Sequence, residues 1–218
     1  LAVLLLVLCM LFWAGNAVAS RIAVGEISPM MLTQLRWVLV IAVMLPLYFG
    51  ALREGWGEIR PRLPMLIITA GLGFTGFNAL YYIAAHHTTA VNLGILQGSI
   101  PVLVMLGSYL VYGVRTTLLQ VLGVIITLAG VVVIATRGDI QAALAQGMNF
   151  GDLAMLGACA LYAIYTVALR DRPKLPGVPF FTLLAIVAAV TSMPLVAIEY
   201  WNGALIWPTW KGWLITLY

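Results

Sequence analysis

Arg36 is the charged side chain that lies deepest within an apolar stretch of the sequence, seven residues after Pro29. If this stretch is a membrane-spanning helix, a rise of about 1.5 Å per residue places Arg36 about 10 Å along the axis. That is roughly a third of the way through a hydrocarbon core of about 30 Å, where an arginine costs about 2.5–3.5 kcal/mol on insertion scales. We therefore expect Arg36 to face a central cavity and to bind a carboxylate or another anionic group. The alternative is that it bonds backbone carbonyls or reaches the interface beside Trp37.

Other polar and aromatic residues recur at helical spacing. Asn78 and Tyr82 are four residues apart, and Trp13 and Asn16 are three apart, so each pair shares one face of a helix. Polar side chains in a membrane bond across helices, and an aromatic cavity with few polar groups is typical of small-molecule sites. We expect one substrate cavity lined by Arg36, Trp13, Asn16, Asn78, Tyr82 and Gln97. The alternative is that each polar residue only links helices, at about 0.6 kcal/mol per bond.

Pro101 follows Gln97 by four residues within an apolar run. Proline has no backbone N–H, so it leaves the Gln97 carbonyl without its helical partner and predicts a kink. At this spacing the two residues share a helix face. A kinked helix can gate a binding site, and we name Pro101 as the gating candidate. Kinks are also ordinary in membrane helices, and packing is the alternative.

The sequence offers no pattern for metal binding, a cofactor or catalysis. The adjacent His86 and His87 project about 100° apart on a helix, and no cysteine or carboxylate cluster accompanies them. A histidine acid–base pair would need a partner within hydrogen-bond reach, and none is visible. No phosphate-binding loop is present. Asp152 and Glu199 fall at the ends of apolar runs, where we expect water and headgroups to solvate them. We predict neither an enzyme nor a resident cofactor.

The composition requires a membrane. Of 218 residues, 63% are hydrophobic and 8% are charged, whereas soluble domains are about 25% charged. An intrinsically disordered protein is excluded, because such chains have a high charge content. A small secreted protein held together by disulfides is excluded as well, because the chain has only two cysteines. The net charge of +4 comes from basic residues scattered between apolar runs. Nucleic-acid-binding proteins cluster their basic residues on one face, so this class is excluded. The expected partners are the lipid bilayer and a small molecule; the oligomeric state stays open, with a homodimer as one alternative.

Apolar runs of about 20 residues predict an all-helical bundle of seven spans and the start of an eighth. The predicted spans are Leu1–Ser20, Pro29–Leu52, Pro64–Ala85, Ala90–Tyr112, Leu118–Thr136, Asp152–Leu169, Val178–Glu199 and the run from Lys211 to Tyr218. With the N-terminus in the cytoplasm, seven basic residues fall in inside loops and three, Arg21, Arg137 and Lys211, in outside loops. Basic residues concentrate on the cytoplasmic side of membrane proteins, which favours this orientation.

The chain matches itself sparsely at an offset of 150 residues. Cys9 corresponds to Cys159 and Pro29 to Pro179, so a pair of helices with proline at the start of the second recurs. A repeat of five spans, an odd number, must be inverted, as in many secondary transporters. We predict a first repeat at 1–137 and a second, truncated repeat at 151–218. Both ends are expected to be cut, from a protein of ten helices.

Several short stretches of the chain form a recognisable set: 11–16 (LFWAGN), Arg36, 77–84 (FNALYYIA), 88–90 (TTA), Pro101-Val102, 113–115 (GVR) and 123–135. Together they resemble the EamA family of the drug/metabolite transporter superfamily. One departure is Val114, because the family commonly has glutamate between the glycine and the arginine. The resemblance implies ten helices in two inverted halves and export of small metabolites across a bacterial inner membrane. It implies no particular substrate.

These observations predict a multi-pass secondary transporter of the inner membrane, with no ATP drive. We expect it to export small polar metabolites such as amino acids by alternating access between the two halves. The alternative is a non-transporting membrane scaffold or sensor subunit, for which a soluble domain or a long charged tail would be expected. Neither feature occurs in this sequence.

Overall fold

The computed structural model describes residues 2–135 and 149–218, and every regular element in those ranges is helical. Within these ranges, six helical segments are long and apolar enough to cross a membrane: Val3–Ile22, Pro29–Glu54, Trp56–His87, Ala90–Tyr112, Phe150–Asp171 and Gly177–Trp201. The predicted all-α, multi-span bundle is therefore confirmed. The predicted end of the fifth span at Thr136, and Arg137 after it, lie outside the described residues.

The first four spans are built from seven α-helices. They are α1 (Ala2–Ile22), α2 (Pro29–Glu54), α3 (Trp56–Ile59), α4 (Leu63–Ala70), α5 (Phe77–His87), α6 (Ala90–Gln97) and α7 (Ile100–Tyr112). The remaining helices are α8 (Leu118–Ala135), α9 (Phe150–Ala168), α10 (Gly177–Trp201) and α11 (Trp210–Leu217). Single 3-10 turns join α3 to α4 and extend α9.

The third span is irregular where a continuous helix was expected. A π-helical turn, Gly71–Gly76, connects α4 to α5. A Cβ atom on Gly73 would lie 2.3 Å from Cβ of Tyr165, because α9 passes directly over this turn. Glycine is thus required here for close approach of two helices.

The helices α2 and α10 correspond under the 150-residue offset, and they pack antiparallel. Ser28, at the start of α2, bonds Glu199 near the end of α10, and Gln34, further along α2, bonds Ser192 earlier in α10. Equivalent helices of an inverted repeat must run in opposite directions. The packing supports this arrangement, while the repeat boundaries at 137 and 151 stay a prediction.

Both carboxylates that were expected to be solvated at span ends are buried in protein. Glu199 accepts hydrogen bonds at the N-terminus of α2. Asp152 accepts from the Thr88 hydroxyl at 2.7 Å and from the Asn149 backbone N–H at 3.1 Å. Each carboxylate therefore joins two segments that are far apart in sequence. An acidic side chain is favourable at a helix N-terminus, because it satisfies N–H groups that have no partner within the helix.

Inter-span contacts gather most of the basic loop residues at one end of the bundle. Gly55 after α2 touches Leu175 before α10, and the Tyr112 hydroxyl donates to Asp171 Oδ2 at 2.8 Å. These contacts place the loops at 53–62, 113–117 and 170–176 on the same side. Those loops hold the seven basic residues assigned to the cytoplasm. Glu199 and its partners lie at the other end.

Candidate functional site

A cavity of about 420 Å³ lies among α1, α2, α5, α6, α9, α10 and the π-helical turn. All six residues predicted to line one cavity do so in the structure: Arg36, Trp13, Asn16, Asn78, Tyr82 and Gln97. They come from four helices and are up to 84 residues apart in sequence (Trp13 to Gln97). The fold therefore brings the set together, while their part in binding stays a prediction.

Arg36 is held by two other members of this set. Its Nη1 donates to Asn16 Oδ1 at 2.6 Å and to the Tyr82 hydroxyl at 3.0 Å. Asn16 comes from α1 and Tyr82 from α5, so three helices fix one guanidinium. Arg36 is the single charged side chain among the lining residues that the structure describes. Within the described ranges, no carboxylate lies within 4.0 Å of it.

Aromatic rings form much of the remaining wall. The Phe74 ring lies 4.9 Å from Trp37 and 6.0 Å from Phe181, centroid to centroid. On another part of the wall the Tyr162 ring lies 5.1 Å from Phe77 and 5.8 Å, edge-on, from Trp13. A cation beside apolar, polarisable faces suits a ligand with an anionic head and an apolar or aromatic body.

Two amide side chains on the cavity wall differ in whether they are hydrogen-bonded to the protein. The Asn78 Nδ2 donates to the Phe74 backbone carbonyl at 2.6 Å, which leaves its Oδ1 as an acceptor toward the cavity. Gln97 is the last residue of α6, and its side chain bonds no residue in the described part of the chain. The cavity thus offers hydrogen-bond acceptors as well as the Arg36 donor groups.

Pro101 does not lie on this cavity. The fourth span breaks at Gly98 and Ser99, and Pro101 is the second residue of α7. Gln97 and Pro101, expected on one face, line different cavities. Pro101 instead lines a separate groove with Gly123 and Thr127 of α8. The prediction that Gln97 and Pro101 lie on one helix face is therefore wrong, and the gating role of Pro101 stays a prediction.

The aromatic wall contains residues that spacing did not identify. Trp37 was considered only as an interface anchor, yet it packs on Phe74 at the cavity. Phe74 and Phe181 carried no signal, because aromatic residues make up 11% of the chain and occur on most of the predicted spans. Their inward orientation follows from the packing of the third span on α9 and α10.

The histidine pair shows no metal-binding arrangement. Among the described residues, no three histidine, cysteine, aspartate or glutamate side chains are grouped to hold an ion. His87 packs edge-on against Phe150, with ring centroids 5.2 Å apart. The hydroxyl of Tyr81, next to Tyr82, is buried and has no hydrogen-bond partner in the described part of the chain.

Comparison with known sequences identifies a family. The sequence model described as the EamA-like transporter family matches residues 1–136. An uncharacterized transporter of Bacillus subtilis, YyaM, is 28% identical over 163 residues, which is 75% of this chain and 53% of that protein. An uncharacterized transporter of Archaeoglobus fulgidus is 32% identical over 166 residues, 75% of this chain and 55% of that protein. The chain thus spans about half the length of these two relatives.

Two further similarities cover nearly the whole chain. The aromatic amino acid exporter YddG of Ancylobacter novellus is 26% identical over 211 residues, which is 94% of this chain and 69% of that protein. A protein of known crystal structure superposes with a TM-score of 0.67 at 24% identity, covering 95% of this chain and 69% of the other. The latter similarity establishes a shared fold.

Proposed function

The chain belongs to the EamA-like transporter family, and from this premise we propose that it exports small polar metabolites, amino acids among them. The protein is a multi-pass membrane protein by its six apolar spans. We place it in the bacterial inner membrane with its N-terminus in the cytoplasm. A transporter in this role is not an enzyme, and it requires no cofactor.

The observation that carries the proposal is one charged group in an aromatic cavity. Arg36 has no carboxylate partner in the described ranges, so its charge is available to an anionic group of a solute. Arg36 is half-buried within a span, and a cation with no counter-ion is costly there. A solute carboxylate would supply the missing counter-charge, and the rings of Trp37, Phe74 and Phe181 would hold its body.

The position of the cavity fits alternating access. Its walls come from α1, α2, α5 and α6 on one side and from α9 and α10 on the other, which are the two proposed inverted repeats, 1–137 and 151–218. Rocking of one repeat against the other would expose the same cavity to each side of the membrane in turn. The relative YddG is named an aromatic amino acid exporter, which supports a carboxylate-bearing substrate with an aromatic body.

Metabolite profiling of the growth medium tests this proposal. Cells expressing the full gene that encodes this chain are compared with cells expressing the Arg36→Ala and Arg60→Ala variants. Arg60 is an exposed cation in the 3-10 turn between α3 and α4, so its variant controls for loss of a positive charge. We expect one carboxylate-bearing solute to accumulate outside cells with the unchanged protein and Arg60→Ala, but not with Arg36→Ala at equal membrane abundance. Equal accumulation with Arg36→Ala would contradict the proposed role of Arg36.

A further inference from the structure

The hydrogen bonds of Arg36 leave one edge of its guanidinium free. A guanidinium has five N–H donors, two on each terminal nitrogen and one on Nε. Nη1 uses both of its hydrogens, one toward Asn16 Oδ1 and one toward the Tyr82 hydroxyl. Nε and Nη2 have no partner among the described residues. These two nitrogens form a parallel fork that matches two coplanar oxygens.

We propose that Asn16 and Tyr82 are positioning residues that present the Nε–Nη2 edge of Arg36 to a substrate carboxylate. This inference rests on the proposed function and adds the group that is recognised and the residues that aim the cation. The carboxylate accepts two parallel hydrogen bonds from this edge, while Nη1 stays bonded to protein. A carboxamide offers one acceptor and one donor, so it cannot satisfy both nitrogens and is rejected.

Asn16 suits this role because its side chain is neutral. The Oδ1 atom fixes Nη1 through a short contact of 2.6 Å and leaves the positive charge of Arg36 uncompensated. An aspartate at this position would place a carboxylate on the guanidinium, and a charge-assisted pair of this kind is stronger than a neutral hydrogen bond. The protein would then hold its own counter-ion in the place of the substrate's charge.

Tyr82 holds the other hydrogen of Nη1 from α5. The side chain is almost fully buried, at 3% exposure, and its ring packs edge-on against Tyr81 at 5.8 Å. A ring fixed in this way gives its hydroxyl a fixed position. Because Asn16 and Tyr82 approach from different helices, the guanidinium plane cannot turn without breaking one of the two bonds.

The test measures binding of phenylalanine and of phenylalaninamide to the purified full chain in nanodiscs. The ratio of the two dissociation constants is the readout, because a merely structural defect lowers both affinities and leaves their ratio unchanged. We expect the unchanged chain to prefer phenylalanine at least tenfold. Asn16→Asp should abolish this preference, and Tyr82→Phe, which keeps the ring and removes the acceptor, should reduce it several-fold.

A control variant and the outcomes that would contradict each proposal complete the test. Asn202→Asp makes the same chemical change at an exposed position after α10, and it should leave both dissociation constants unchanged. If Asn16→Asp retains the preference, this inference is wrong and the proposed function stands. If the unchanged chain binds phenylalanine and its amide equally, Arg36 does not recognise a carboxylate, and both this inference and the proposed role of Arg36 are wrong. If the unchanged chain binds neither compound, this inference is wrong for an aromatic amino acid, and the proposed function is decided by the metabolite profile of the growth medium.

Discussion

Glu199, near the end of α10, caps the first turn of α2 through Ser28, whose hydroxyl donates to Glu199 Oε2 at 2.5 Å. The backbone N–H groups of Met30 and Met31 donate to the same carboxylate, each at 3.3 Å. Helix α2 has no capping bond from its own N-cap side chain, so its free N–H groups depend on a residue 171 positions away in sequence. One carboxylate thus joins the two helices that the proposed inverted repeat relates.

Replacing Glu199 should therefore destabilise the whole bundle. Glu199→Ala leaves three buried donors without an acceptor, and we expect a loss of about 0.5–2 kcal/mol, the range measured for helix caps. Glu199→Gln keeps one acceptor oxygen and should lose less. Unfolding in detergent, followed by circular dichroism, measures both. Glu54→Ala, at an exposed position at the end of α2, is the control, and an equal loss there would contradict the capping role.

The side-chain bond between Gln34 and Ser192 should couple α2 to α10 energetically. It is 2.5 Å long and lies within the apolar part of both helices. Hydrogen bonds between membrane helices contribute about 0.6 kcal/mol on average and about 1.7 kcal/mol at most. A double-mutant cycle with Gln34→Ala and Ser192→Ala should give a coupling within that range. Strictly additive losses of stability would show that the bond contributes nothing.

The close approach at Gly73 predicts a sharp difference between two glycines. An added Cβ at Gly73 would meet the Tyr165 Cβ and Cγ atoms at 2.3 Å, whereas one at Gly94 would meet nothing within 4 Å. Gly73→Ala forces α9 away from the third span, and overpacking of this kind costs about 1–3 kcal/mol. Gly94→Ala should be neutral or slightly stabilising, since alanine favours a helix. Thermal unfolding of the two variants compares them, and equal midpoints would contradict the packing.

Accessibility of single cysteines tests the proposed orientation. Cys9 and Cys159 are free cysteines and would first be replaced by alanine. Lys174→Cys and Asn202→Cys then place exposed thiols before and after α10, at opposite ends of the bundle. In intact spheroplasts an impermeant maleimide should label position 202 and not position 174. The reverse pattern would place the N-terminus outside the cytoplasm.

Helical spacing predicted the polar set of the cavity better than its aromatic wall. Asn16, Arg36 and Tyr82 are polar residues in apolar runs, and lipid provides no partner for them, so they must face one another. Aromatic rings such as Phe74 and Phe181 are stable against lipid or protein alike. In a helix that is apolar on all sides, hydrophobic pattern does not determine which face turns inward.

Interruptions of the helix within the third and fourth spans limited what sequence spacing could predict about shared helix faces. Gln97 and Pro101 are four residues apart, which places them on one face of a regular helix. The turn at Gly98 and Ser99 interrupts the helix between them, and the two residues line different cavities. Likewise the π-helical turn at Gly71–Gly76 exists beside Tyr165, a contact between residues about 90 positions apart that short-range patterns do not contain.

Direct binding to the purified chain tests most directly whether Arg36 recognises an anionic solute. The dissociation constant of phenylalanine is measured for the unchanged chain, for Arg36→Ala and for Lys211→Ala, an exposed cation paired with Glu26 outside the cavity. Losing one partner of a buried charge pair costs about 2–5 kcal/mol. Arg36 is half-buried, so Arg36→Ala should weaken binding by at least tenfold, while Lys211→Ala should leave it unchanged. Binding by a folded Arg36→Ala variant within twofold of the unchanged chain would contradict the central role of Arg36.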